Sequence, residues 1–220
     1  MGKIYILITV VFIVFLVYCF RNFFMNKISS DLMNVIGKDE EKFLKLIDST
    51  PAKILIEPYN RDYMKLNHYI ITKNNKKIDE QFNHIDAHKL NKDQTLVLYR
   101  NVFKYYISIG NREKSMDIYN RLCSYSDENN LDPKIKIDFE KDIKVYLDKD
   151  IQILNLLDER LSSCKDEEKA LLYLEKTYVL KYNNKLDEAL ECMENVIKYT
   201  VNPSQKKIMQ DIYDSKLEVL

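Results

Sequence analysis

His84 and His88 are the first pair of residues in this chain that could share a chemical task. On one helix, positions i and i+4 present two imidazoles to the same side, with Glu80 a turn earlier and Asp86 between, and such a pair can hold a metal ion. The zinc-peptidase form of this motif needs a glutamate directly after the first histidine, where Ile85 stands, and the third histidine, His68, is remote in sequence. The pair reads as ordinary helix residues; a metal-dependent enzyme using His84 and His88 is the alternative. The soluble part carries three cysteines, Cys123, Cys164 and Cys192, with no short spacing between them. They read as small core residues in or at the ends of helices. No serine lies in a nucleophile-elbow context and no glycine-rich phosphate loop exists, because 220 residues hold only 3 glycines. Asp39-Glu40-Glu41 and Asp166-Glu167-Glu168 read as acidic first turns of helices rather than acid/base pairs. The expectation is therefore a chain without catalysis, cofactor or metal. Its 16 tyrosines mostly suit helix packing, and Tyr69, Tyr105 and Tyr173 are the candidates to line a binding groove.

The elements that would position those residues are helices. Scarce glycine and 31% charged residues disfavour hairpin turns and strands, and predict an all-α fold. The 34 Lys+Arg balance 34 Asp+Glu. A chain of zero net charge lacks the basic surface that neutralises phosphates, which argues against a nucleic-acid partner.

Ile4 to Phe20 (IYILITVVFIVFLVYCF) is apolar apart from Thr9. At about 1.5 Å per residue the run covers roughly 25 Å, the short end of what a bilayer core requires. Phe23, Phe24 and Met25 extend it if Arg21 snorkels. Tyr18-Cys19-Phe20-Arg21 offers no small-x-small cleavage site. Residues 1–25 are thus expected to be an uncleaved single-pass transmembrane anchor, touching lipid through residues 4–25. Arg21 and Lys27 outnumber Lys3 by one charge, which leans the soluble part toward the cytoplasm. An odd number of cysteines outside the anchor leans the same way.

Residues 26–58 read as a juxtamembrane linker followed by a short amphipathic helix over Lys38 to Asp48, and residues 59–220 as a helical-repeat domain. Asn74-Asn75-Lys76, Gly110-Asn111-Arg112, Asp148-Lys149-Asp150 and Asn183-Asn184-Lys185 punctuate four helix pairs. The matching positions Gln81, Ser115, Leu154 and Ala189 stand 34, 39 and 35 residues apart. Leu186, Ala189, Leu190, Met193, Val196 and Ile197 form one stripe of a helix. Asn202-Pro203 predicts an N-cap and a closing helix from Ser204 to about Val219.

Helix pairs at this period resemble tetratricopeptide repeats. Tyr99, Tyr106, Ser115 and Tyr119 match the family pattern in the second unit, and Tyr173, Ala189 and Met193 in the fourth. Phe103, Gln81 and Leu154 replace small residues of the pattern. The resemblance implies an α-solenoid of stacked hairpins with a concave face, and a scaffold or protein-interaction module that binds a protein or peptide partner. It is similar to membrane-anchored tetratricopeptide proteins that assist envelope assembly or translocation. A purely structural, self-associating membrane protein is a further alternative.

Overall fold

The computed structural model describes the backbone of residues 2–220 and the side chains of residues 18–220. Among these residues there is no strand; the chain is all-helical, as its composition predicts. It divides into two compact units, Met1–Val102 and Phe103–Leu220, with the boundary inside one helix.

The first unit opens with α1 (Gly2–Val35). The predicted linker at its C-terminal end is instead helical, because neither glycine nor proline interrupts residues 3–36. Its lower end also has a core to join: Leu32 and Val35 pack with Phe43 and Ile47. Gly37, at φ +73°, ends the rod in a conformation that suits glycine. Then come α2 (Glu40–Ile47), capped by the Asp39 side chain, and α3 (Thr50–Leu55), capped by Ser49. A hairpin of α4 (Pro58–Ile71) and α5 (Asn75–Asp86) follows. No helix among the described residues is long and apolar enough to cross a membrane. The apolar run Ile4–Phe20 lies, as far as residue 17, outside the residues whose side chains are described.

Helix α6 (Lys92–Ser108) carries the boundary between the units. The second unit continues with α7 (Arg112–Asn129) and α8 (Pro133–Asp142), which runs directly into a π-helical stretch, π1 (Ile143–Asp148). It is completed by α9 (Ile153–Ser163), α10 (Asp166–Tyr182), α11 (Leu186–Tyr199) and α12 (Pro203–Asp214). Asn202 caps α12 as its sequence predicts, accepting from the amides of Ser204 and Gln205. The closing helix is shorter than expected: it stops at Asp214, and the chain turns to bury Leu217 against α10 and α11 residues including Leu180 and Met193.

Four turns repeat one construction. Each places a residue at positive φ: Lys73, Gly110, Lys149 and Asn184. In three of them the next amide reaches back five residues, Asn74 to the Tyr69 carbonyl, Asn111 to Tyr106 and Lys185 to Leu180. This is the Schellman closure of a helix end. In the third hairpin Asp150 reaches back six residues, to Lys144. One extra residue is present there, and π1, with its wider ring, absorbs it. That insertion lies within the longest interval, 39 residues, between the matched repeat positions.

Contacts one repeat period apart hold neighbouring hairpins. In the first unit Asn101 Nδ2 donates to Asn67 Oδ1 at 2.6 Å, 34 residues away, and the Tyr59 hydroxyl to the Gln94 carbonyl, 35 away. In the second, Asn183 Nδ2 donates to the Lys149 carbonyl at 2.8 Å across 34 residues. Phe103 packs on Phe139 with ring centroids 4.4 Å apart. Arg112 pairs with Asp148, and Lys181 donates to the Leu217 carbonyl, each across 36 residues. Three small residues are fully buried: Ser115, Thr177 and Ala189.

Candidate functional site

The most unusual chemistry of the second unit lies where α8 and π1 run beside α10. Lys141, at the end of α8, pairs with Glu175 on α10 and with Asp142 at 2.9 Å. Lys141 is 7% exposed and Glu175 2%. Charges this deep usually cost more in desolvation than their attraction returns, unless every lone pair is met. Glu175 falls short of that: among the described residues its Oε2 has no hydrogen-bond partner. Burial raises the Glu175 pKa, and the Lys141 ammonium opposes that rise. Burial works against the charge on Lys141, but Glu175 and Asp142 overcome it and raise its pKa, so it stays an ammonium and is no nucleophile.

Aromatic residues continue the seam. Tyr146 of π1 lies 5.4 Å from Tyr178 of α10, centroid to centroid, and Tyr178 lies 4.6 Å from Tyr182. Burial, reinforced by Glu175 and Asp142, raises the Tyr146 pKa. Burial and a hydrogen bond with Tyr182 push Tyr178 up to about 12. Both phenols therefore remain neutral at physiological pH. The Lys149 ammonium sits 3.6 Å above the Tyr182 ring, a cation–π contact.

The pairings 141 with 175, 146 with 178 and 149 with 183 advance together along both segments. The two therefore run parallel and in register. One turn before the ion pair, on each helix, stands an exposed apolar residue: Ile137 on α8 (42% exposed) and Leu171 on α10 (56%). They are separated by the same 34 residues as Lys141 and Glu175. The seam thus carries two exposed apolar side chains, one on each helix, with the half-buried rings of Tyr146 and Tyr178, the exposed ring of Tyr182 and a lysine further along. Such a surface can grip apolar and aromatic groups of another chain.

The residues singled out from sequence are not gathered at this seam. Tyr69, in the first unit, is buried at the α4–α5 hairpin, edge-on to His68 at 5.7 Å and with the Lys77 ammonium 5.4 Å from its ring. Tyr105, in the second unit, is buried edge-on against Tyr106. Neither offers a ring face to solvent. Tyr173 is half-buried and stacks on Tyr199 of α11 with centroids 5.9 Å apart, on the side of α10 away from Glu175. His88 lies beyond the end of α5, so the pair does not share one helix face throughout. Its ring still meets His84 edge-on at 4.9 Å. His84 Nε2 stands 3.6 Å from Asp62. Among the described residues no group of three His, Cys, Asp or Glu side chains is arranged to hold a metal ion.

Sequence reasoning missed Lys141, Glu175, Ile137 and Leu171. The usable signal was their separation, one repeat period in both pairs, with opposite charges in one and matching apolar residues in the other. No protein-family model, curated protein or solved structure matches this chain.

Proposed function

We propose that the chain is a membrane-anchored helical-repeat protein, a divergent tetratricopeptide-like α-solenoid that binds a partner protein or peptide without catalysis. Residues 4–25 hold it in the bilayer, and the soluble part faces the cytoplasm. One observation chiefly supports the binding reading: Ile137 and Leu171 are both exposed, each one turn before a member of the buried ion pair that links α8 to α10, with a row of tyrosines further along. A repeat stack that served only as a spacer would have no use for that arrangement. The partner's contribution is an apolar side chain, on a helix or extended segment, seated between the two.

Cross-linking in native membranes, followed by identification of the captured proteins, tests this. A distinct partner, captured by the parent chain and lost with Ile137→Asp plus Leu171→Asp while helix content is retained, supports it. Capture of this chain alone favours the self-associating alternative. Thiol labelling at the half-buried Cys164 from either side of sealed vesicles tests the orientation.

A further inference from the structure

The described part of α1 changes character along its length. Around residues 18–24 its large side chains are exposed: Tyr18, Phe20, Phe23 and Phe24 are each between 47% and 64% exposed. At about 100° per residue Phe20, Phe23 and Phe24 share one arc and Tyr18 lies on the opposite flank, and the sequence from Ile4 to Tyr18 has Thr9 as its one polar residue, so apolar residues occur all round the helix. Arg21 is the one charge among them, and the run before them, from Ile4, carries none. Further down the pattern narrows to a stripe. Ile28, Leu32 and Val35 pack on Phe43 and Ile47, while Ser29, Ser30, Asp31 and Asn34 face solvent.

A protein partner would cover one side of a helix. Apolar side chains around a whole circumference call for a solvent that surrounds it, and a lipid bilayer is such a solvent. We infer, resting on the membrane reading above, that α1 is one continuous strut whose upper part is sheathed by lipid and whose lower part belongs to the core of the first unit. The bilayer boundary falls between Phe24 and Ile28, with Arg21 and Asn22 reaching the headgroups. From Arg21 to Leu32 the rod rises roughly 16 Å. The core of the first unit is therefore fixed close to the lipid surface at a set orientation, not carried on a flexible tether. Gly37, where the rod ends, lies after the last packed turn, so the bend belongs to the folded unit.

The test uses the full chain, with its cysteines replaced by serine, in phosphatidylcholine–phosphatidylglycerol vesicles. Nitroxides are placed at Asn22 and at Glu41, an exposed position on α2. A rigid strut gives one narrow distance peak by pulsed electron resonance, and inserting three glycines after Asn26 abolishes that peak. Labels stepped from Phe24 to Ser29 should pass from accessible to dissolved oxygen to accessible to a water-soluble nickel chelate. Vesicle-bound protein with a broad distance distribution before insertion overturns the strut and leaves the anchor intact. Protein that fails to partition into vesicles overturns both.

Discussion

Each unit buries a polar side chain that leaves one atom without a partner, and they do so with opposite chemistry. In the first, His68 on α4 is fully buried, stacked 4.5 Å over Phe43, and its Nδ1 accepts the Gly37 amide at 3.0 Å. An accepting Nδ1 places the proton on Nε2, which has no partner among the described residues. In the second, Glu175 is buried as one end of an ion pair, with Oε2 unmet. The histidine avoids the cost of burial by staying neutral; the glutamate reduces it by keeping a cation beside it. A neutral group can be spoiled by one proton, whereas an ion pair is spoiled by the loss of either member.

The largest expected effect is therefore in the second unit. Lys141→Met should cost about 3–5 kcal/mol in chemical unfolding, because it leaves Glu175 buried without its cation, and Glu175→Ala should cost less, because Lys141 keeps Asp142. Lys141→Met combined with Glu175→Leu should recover most of that loss. A double variant no more stable than the singles would show that the seam needs the charges themselves.

A smaller effect is expected at the joint His68 makes. Gly37 lies at φ +73°, and a Cβ there would come within 2.4 Å of Ile71 Cγ2. Gly37→Ala should cost about 2 kcal/mol from the left-handed backbone alone, with the clash added. An unfolding midpoint equal to the parent's would mean that this turn relaxes freely.

The third effect is a pH dependence confined to the histidine. Burial lowers the His68 pKa; Glu40 on α2 pulls it up and Lys77 on α5 pulls it down, the two being paired with each other. The unfolded chain then binds the proton more readily than the folded one. Stability should be full above about pH 6.5 and fall as pH drops from there toward the folded-state value. His68→Gln should remove that contribution to the slope. An identical slope in the variant would assign the acid sensitivity to other groups.

The smallest effect compares the repeated turns. Lys73 in the first unit holds φ 55°, where the equivalent position in the next hairpin is Gly110. Lys73→Gly should stabilise the chain by about 1 kcal/mol, measured by denaturant titration. A loss of stability would show that the lysine makes a compensating contact.

Much of the architecture was legible because it depends on local chemistry. Scarce glycine, helical stripes and the capping residue Asn202 act within a few residues of themselves, and Asn202 caps the helix it precedes; Asn74 and Asn111, read only as parts of repeated turns, prove to be caps as well. The four turns fall at the repeated polar motifs for the same reason. The helical continuity of residues 26–35 was misread because their polar residues face solvent while Ile28, Leu32 and Val35 find a core built from α2. The surroundings of two candidate groove residues were beyond the sequence for a related reason. Tyrosine at helical spacing shows that a ring belongs to a helix, but the neighbours of Tyr69 and Tyr105 decide that those rings are covered.

The sequence by itself determined the helices, their ends and the period at which they recur, since propensity, capping and turn formation are short-range. Only the tertiary structure decided which residues one period apart meet. Lys141 reaches Glu175, and Tyr146 meets Tyr178, because α8 with π1 and α10 settled beside one another in parallel. That outcome depends on packing between segments distant along the chain, where desolvation and steric fit act and local propensity does not.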